Sequence, residues 1–318
     1  MYTFVDLFSG TGAFSHVLQK TNRFKCVFSN DMMKCSETIY NENHDHALTL
    51  KDLHNVEVDD VPDHDLICGG FPCQPFSIAG ERKGFDDERS NVFWKILEII
   101  DHRNPEVVLL ENVKNLTTHD NGNTFRTILN ELQTREYHVK YAVLDTCKIT
   151  CVPQHRERIY IIGFRNKHAY DHFDFDFPNV TNKPIKHFLQ DNVDKKYYYT
   201  DRFVVYPTVR DGVKDHINEK NTLYQLRRQY VRENKSNCCP TMTANMGGGG
   251  HNVPLLRDDN GIRKLTPREC FNLQGFPSNY KLPTTLSDSN LYKLVGNAVS
   301  VPVVELIVSR LLSFMDSA

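Results

Sequence analysis

The sequence predicts an α/β fold: a Rossmann-like, mostly parallel sheet with helices on both faces, joined to a small irregular domain. Three observations carry that expectation. Strand-like and helix-like segments alternate over residues 1–165. The strand segments are mainly apolar, as strands buried on both faces are. A turn containing Gly10 and Gly12 joins the first strand to the first helix, where doubly wound folds bind their ligands.

Residues 3–8 form the first strand candidate and residues 13–20 the first helix. A second apolar strand, 24–29, leads to a helix near 33–43. Residues 66–68 form a short strand, 91–101 a helix, 107–110 a strand and 124–134 a helix. Two late strands follow near 139–145 and 159–164. After Gly163 the pattern loses its regularity. Residues 166–262 are rich in aromatics, with few long amphipathic windows, and the four glycines from Gly247 to Gly250 make a flexible loop. Helical signals return at Thr266-Pro267-Arg268-Glu269, where threonine caps and proline fits the first turn. Apolar residues at three- and four-residue steps over 302–314 predict a final helix that returns to the first domain.

At 318 residues the chain has room for one large domain, or a large and a small one. Hydrophobic residues at 40% and charged residues at 25% are ordinary for a globular protein and exclude a disordered or fibrous chain. No continuous apolar run reaches the roughly 18 residues of a membrane span. Residues 1–6 lack a basic region before an apolar core, so a cytoplasmic protein is expected. Nine cysteines, an odd number, point to reduced thiols. Cys147 and Cys151 have no second pair at finger-like spacing, and Cys238 and Cys239 are adjacent, so no metal site is expected. Net charge is −2, which argues mildly against a nucleic-acid binder. Basic residues nonetheless gather at Arg156, Arg158, Arg165 and Lys167, and again at Arg227, Arg228, Arg232 and Lys235. These are either solvated faces or local phosphate-attracting ones.

Four segments carry chemistry. Gly69-Gly70-Phe71-Pro72-Cys73-Gln74-Pro75-Phe76-Ser77 follows the strand at 66–68, and its prolines and glycines hold a thiol on a stiff loop, a suitable place for a nucleophile. Phe8-Ser9-Gly10-Thr11-Gly12 lets backbone approach a ligand at a helix N-terminus, and Asp31 closes the second strand, where a carboxylate can accept ribose hydroxyls. A nicotinamide site would want glycine at position 15, which is Ser15, so another adenosine-bearing cofactor is favoured. Glu111-Asn112-Val113 ends the 107–110 strand on the same sheet edge as Cys73; apolar surroundings there would raise its proton affinity and suit proton donation. Gln154-His155-Arg156-Glu157-Arg158 opens a strand whose alternation would set both arginines on one face.

Together these segments resemble the cytosine-5 DNA methyltransferases of bacterial restriction–modification systems. Phe8-x-Gly10-x-Gly12, Gly70-Phe71-Pro72-Cys73-Gln74, Glu111-Asn112-Val113 and Gln154-x-Arg156-x-Arg158 match that family's motifs in order. Leu265-Thr266-Pro267-Arg268-Glu269, Leu273-Gln274-Gly275-Phe276-Pro277 and Gly296-Asn297 continue the match. The resemblance covers nearly the whole chain outside 166–262. It implies a catalytic, S-adenosylmethionine-binding domain at 1–165 and 264–318, and a target-recognition domain at 166–263.

The resemblance further implies methyl transfer to carbon 5 of a flipped-out cytosine in a short specific duplex DNA sequence. Cys73 would add to carbon 6, Glu111 would hold ring nitrogen 3, Arg158 would contact the base carbonyl, and Arg156 would orient Glu111 or a phosphate. Cofactor contacts carried over are Phe8, Gly10, Gly12, Asp31, Asp52, Leu53 and Asn297. The family often has glutamate then tryptophan where this chain has Asp31 and Met32, so Met32 or another residue would stack on adenine. DNA contacts are expected from Gln74 and Ser77 in the nucleophile loop, from Arg82, Lys83 and Arg89 after it, and from Arg227, Arg228, Arg232 and Thr241 in the variable region. Thr241-Met242-Thr243-Ala244 resembles the family's threonine–leucine element, with methionine for leucine. A monomer paired functionally with a restriction endonuclease is expected. Two alternatives stay open: a related enzyme acting on transfer RNA, whose usual Cys-Phe-Thr triplet is absent here, and a catalytically silent DNA binder on the same fold.

Overall fold

The computed structural model describes residues 1–72, 92–199, 216–220, 222–227, 230–234, 236–248 and 252–315. Cys73, Gln74, Ser77, Arg82, Lys83, Arg89 and Arg228, all expected site residues, lie outside them. The chain divides into two compact units. The first comprises Met1–Leu144, Glu157–Phe177 and Val304–Ala318; the second comprises Asp145–Arg156 and Pro178–Val303.

The first unit is built from β1 (Tyr2–Leu7), α1 (Ala13–Lys20), β2 (Phe24–Asp31), α2 (Lys34–Asn43), β3 (Thr49–Leu50), β4 (Leu66–Gly70), α3 (Val92–Arg103), β5 (Val107–Val113), α4 (Asn123–Thr134) and β6 (His138–Asp145). After α5 (Thr146–Ile149), which belongs to the second unit, come β7 (Glu157–Phe164) and α6 (Lys167–His172). Seven strands form one sheet in the order β3-β2-β1-β4-β5-β7-β6. β1 pairs in parallel with β2 and β4, β4 in parallel with β5, and β5 antiparallel with β7. Strand order therefore reverses between β1 and β4, which is where open α/β sheets form a crevice at the carboxyl ends of their strands. The loops beginning at Phe8 and Phe71 leave the sheet at that point.

Successive residues of β1, Phe4 to Leu7, are all buried, as are Leu66 to Cys68 and Val107 to Leu110. Adjacent strand residues point to opposite faces, so both faces of the sheet are covered. On one of them Phe93, Ile96 and Ile100 of α3 and Phe125, Ile128 and Leu132 of α4 pack with Val5, Leu7, Ile67, Val108, Leu110 and Ile161. The last helix, α9 (Val301–Met315), runs into the first unit from Val304 onward, where Glu305 pairs with Lys20 at 2.8 Å and Arg310 with Asp174.

In the second unit, the stretch expected to be irregular holds a four-stranded antiparallel sheet. Its strands are β8 (Tyr224–Leu226), β9 (Val231–Glu233), β10 (Leu255–Asp258) and β11 (Gly261–Lys264), in the order β11-β10-β8-β9. Ile217, Tyr224, Leu255 and Ile262 form its small core. Two helices follow. In α7 (Pro267–Leu273) the Thr266 hydroxyl accepts from Glu269 N, the cap anticipated from sequence, and the Glu269 carboxylate accepts from Thr266 N, which completes a capping box. α8 (Asp288–Asn297) is capped by Ser287. The stretch Asp288–Phe314 is long and apolar enough by composition to cross a bilayer. It is split between α8 and α9, however, and 72% of its most apolar window is buried inside the protein, as befits core helices.

Candidate active site

In the first unit, the loop after β1 is held in an uncommon conformation. Phe8, Gly10 and Gly12 all have positive φ, at 55°, 54° and 70°. Glycine takes that conformation freely, whereas a bulky residue such as Phe8 is strained there, and such strain gathers at binding sites. A side chain at Gly12 would also meet the His44 ring at 2.3 Å. Ser9 anchors the loop, its hydroxyl donating to Asp6 O at 2.7 Å and its N–H to Asn30 O at 2.9 Å. Gly12 is the N-cap of α1, with no side-chain cap and no acidic residue in the first turn. One first-turn N–H, that of Ser15, donates to the buried Asp6 carboxylate at 3.2 Å, and the positive end of the helix dipole above it favours an incoming anion.

Asp31, at the end of β2, accepts N–H bonds from Gly10 (3.0 Å) and Met33 (2.8 Å). Burial raises its carboxyl above the ordinary range. Beside it Met32 is 67% exposed, a large apolar side chain free to cover a planar ring. Asp52 caps a short 3-10 turn and accepts from His54 N and Nδ1, both at 3.0 Å; the His54 contact lowers its pKa. Leu53, in contrast, is 2% exposed and belongs to the sheet core. Beneath the loop lies a network that sequence reasoning missed. The Ser15 hydroxyl donates to Asp6 Oδ2 at 2.6 Å and lies 2.8 Å from Tyr40 Oη. Burial pushes the Asp6 carboxyl up to about 7. The residue that replaced an expected glycine thus ties α1 to β1 and α2.

The second feature of this unit is Glu111. Residue pairing in the sheet sets Glu111 opposite Gly70, at the end of β4 and close in sequence to Cys73. Glu111 is 7% exposed, and Arg158 Nε lies 3.2 Å from its Oε1. The neighbouring Asn112 donates from Nδ2 to Phe71 O at 2.9 Å and accepts from Val113 N with Oδ1. Asn112 therefore holds the backbone at Phe71, two residues before Cys73 in sequence. Its role became visible only with the fold.

Arg156 behaves differently from Arg158. β7 begins at Glu157, so strand alternation does not extend back to Arg156. In the second unit its buried guanidinium donates to Met242 O (2.9 Å), Gly296 O (3.2 Å) and Ala298 O (2.7 Å). Gln154 Nε2 reaches Leu273 O and Gln274 Oε1, and Gln274 Nε2 reaches Val295 O and Ala298 O. Four sequence motifs therefore converge on one buried polar network: Gln154-x-Arg156, Thr241-Met242, Leu273-Gln274 and Gly296-Asn297. Asn297 itself ends α8 and is exposed. Glu269 of the Thr-Pro-Arg-Glu motif is structural as well, forming a two-point buried pair with Arg263 at 2.8 Å per contact.

The second unit also carries a groove of about 430 Å³. Arg227, Arg232 and Thr241, expected from sequence, line it together with Gln225, Asn234, Asn245 and Asn252. Arg227 donates to Gln225 Oε1 at 2.9 Å, and Thr241 to His155 O at 2.6 Å. The amide side chains were missed, because scattered asparagines in an irregular segment give no periodic signal.

Comparison with known proteins gives a consistent result. The family described as C-5 cytosine-specific DNA methylase matches residues 2–313. Type II methyltransferase M.Bsp6I of Bacillus sp. (strain RFL6) is 46% identical over 99% of this chain and 100% of its own length. Type II methyltransferase M1.ScrFI of Lactococcus lactis subsp. cremoris is 36% identical over 100% of this chain and 79% of its own length. Among solved structures, the Dnmt2 methyltransferase of S. pombe superposes with a TM-score of 0.76 at 21% identity, covering 99% of this chain and 100% of that one, a likeness of fold.

Proposed function

The chain belongs to the C-5 cytosine-specific DNA methylases, a DNA cytosine-5-methyltransferase related to those of type II restriction–modification systems, and from that premise we propose how its residues act. The methyl donor is S-adenosylmethionine, which supplies an electrophilic methyl group on a sulfonium. The loop from Phe8 to Gly12 receives it, with the α1 N-terminus facing its carboxylate, Asp31 its ribose hydroxyls and Met32 its adenine. The positive-φ loop, the α1 N-terminus that follows it and the exposed Met32 support this assignment. Asp52 contributes a contact to the donor, and Asn297 is carried over from the family motif as a further one. Leu53 supports it from the core.

Cys73 adds as a thiolate to carbon 6 of a cytosine turned out of the duplex, forming an S–C6 bond. The electron density pushed into the ring makes carbon 5 nucleophilic. Carbon 5 would take the methyl group as the sulfonium S–CH3 bond breaks to leave the neutral thioether; loss of the carbon 5 proton to solvent would then expel the Cys73 thiolate and restore the aromatic base. Glu111 holds ring nitrogen 3 and stabilises the adduct. Arg158 keeps the Glu111 carboxylate oriented, and Arg156 acts at a distance by fixing the backbone around Met242 and Gly296. The observation that carries this reading is the buried Glu111–Arg158 pair, placed opposite Gly70 on the sheet edge from which the Cys73 loop departs.

Residues 166–263 serve as the target-recognition region, and the groove lined by Arg227, Arg232 and Thr241 meets DNA. Arg228, Gln74, Ser77, Arg82, Lys83 and Arg89 add contacts to bases or phosphates. The enzyme works as a monomer in the cytoplasm, paired functionally with an endonuclease that its methylation blocks. Incubation with duplex DNA and labelled S-adenosylmethionine should yield 5-methylcytosine in one short sequence context. Label entering a transfer RNA pool and sparing DNA would overturn the substrate assignment.

A further inference from the structure

Outside the catalytic machinery, the fold of the second unit gathers three side chains that are scattered in the sequence. Cys147, His155 and Cys238 each offer a ligand atom, and these atoms all lie within 4.8 Å of one another. Both cysteines are free and buried, and the imidazole is half exposed. In a tetrahedral site with metal–sulfur bonds of about 2.3 Å, neighbouring ligand atoms stand roughly 3.5–4 Å apart, so the cluster is close to the required size. Sequence spacing had argued against a metal because it paired Cys147 with Cys151. The actual neighbour, Cys238, comes from a distant segment.

That segment is held in place by backbone. His155 N donates to Cys239 O at 2.8 Å, Cys239 N donates to Pro153 O at 2.5 Å, and an isolated parallel bridge joins Gln154 to Cys239. The surroundings of the cluster are those of a built site. Asp145 Oδ1 accepts from Cys147 N (3.2 Å) and Arg156 N (3.1 Å), while its Oδ2 lies 3.2 Å from His155 Nδ1. A carboxylate on one ring nitrogen fixes the tautomer and leaves Nε2 with its lone pair, the usual arrangement behind a metal-bound histidine. Asn182 is equally fixed: its Nδ2 donates to Cys147 O (2.8 Å) and Thr150 O (2.9 Å), so Oδ1 must face the sulfurs, 3.2 Å from Cys147 Sγ and 3.7 Å from Cys238 Sγ.

We propose that Cys147, Cys238 and His155 Nε2 bind a zinc ion, with Asn182 Oδ1 beside the fourth tetrahedral position. Two sulfurs and an imidazole suit zinc better than magnesium or calcium, which want oxygen donors. Binding forms two zinc–sulfur bonds and one zinc–nitrogen bond and releases the two thiol protons to solvent. His155 stays neutral, its Nδ1–H donating to Asp145. Two thiolates balance the dication. The ion cross-links the segment carrying Gln154 and Arg156 to the segment carrying Thr241, and so stiffens one wall of the groove.

The test uses the full chain, purified with reductant and stripped with a chelator, and cobalt(II) alone as the probe. One equivalent should bind, with thiolate-to-cobalt charge-transfer bands and tetrahedral d–d bands that zinc then abolishes. Cys147→Ser and Cys238→Ser should lose the bands, His155→Ala should weaken binding at least tenfold, and Cys151→Ser should leave the bands intact. In the unmutated chain, zinc should shield Cys147 and Cys238, but not Cys35, from iodoacetamide, as read by mass spectrometry. Absence of stoichiometric cobalt, bands that survive Cys147→Ser, equal labelling with and without zinc, or a Cys147–Cys238 disulfide that fills the site would each overturn the proposal.

Discussion

Replacing Arg158 by alanine removes a guanidinium from beside a buried carboxylate. Glu111 is 7% exposed and its Oε1 lies 3.2 Å from Arg158 Nε. At an effective dielectric of about 20, unit charges that far apart attract by about 5 kcal/mol before their desolvation is subtracted. Removing one partner of a buried pair costs about 3–5 kcal/mol, because the other charge remains out of water. Glu111→Gln keeps the shape of the side chain and removes the charge. In that background Arg158→Ala forfeits only the packing of the arginine stem, about 1 kcal/mol. The double-mutant cycle should therefore show a coupling of roughly 2–4 kcal/mol. For a chain of this size each kcal/mol moves the midpoint by about 2 °C, so Arg158→Ala should melt roughly 6–10 °C low in calorimetry, whereas adding it to Glu111→Gln should lower the midpoint by only about 2 °C further. Methyl transfer, in contrast, should be lost in both single variants and stay lost in the double. A coupling under about 0.5 kcal/mol would refute the idea that Arg158 is the counter-charge of Glu111 at this edge.

Two further outcomes follow from the geometry. A Cβ at Gly296 would sit 2.2 Å from Thr243 C and 2.3 Å from Thr243 O, backbone atoms that cannot swing aside. Gly296→Ala should therefore destabilise the protein by about 3 kcal/mol or more, above the usual range for an added methyl, and should weaken DNA binding in filter assays through the displaced Thr241-Met242-Thr243 element. Asp6, with a folded pKa raised from 3.8 to about 7, contributes stability that is complete below pH 3.8 and is lost as pH rises through about 7. The difference amounts to roughly 4 kcal/mol. Melting temperatures at pH 5 and pH 8 should differ less for Asp6→Asn than for the unmutated chain, and an unchanged difference would assign the effect elsewhere.

The parallel sheet was legible because its main strands are largely apolar and its long helices are amphipathic windows; boundaries for β1, α1, β2 and α4 fell within two residues. The antiparallel sheet of the second unit was not legible. Strands of three or four residues, such as Tyr224–Leu226 and Gly261–Lys264, are shorter than any period can declare. One local signal, the turn-forming run Asp258-Asp259-Asn260-Gly261, does mark the hairpin between β10 and β11. At the site, Glu111 could be read because it ends an apolar strand. The division of labour between Arg156 and Arg158 could not, since it depends on where β7 begins. Asn112, Ser15, Gln274 and the Cys147–His155–Cys238 cluster act through partners distant in sequence, which only the fold supplies.

The central claim is that Cys73 becomes bonded to the target base. Duplex DNA carrying 5-fluorocytosine at the methylated position has no proton to lose from carbon 5, so with S-adenosylmethionine present the reaction should halt at the adduct. Mass spectrometry should then find one DNA strand per chain, attached through the peptide containing Cys73, and nothing attached in Cys73→Ala. An active enzyme that traps no such complex, or one whose adduct maps to another residue, would contradict the account.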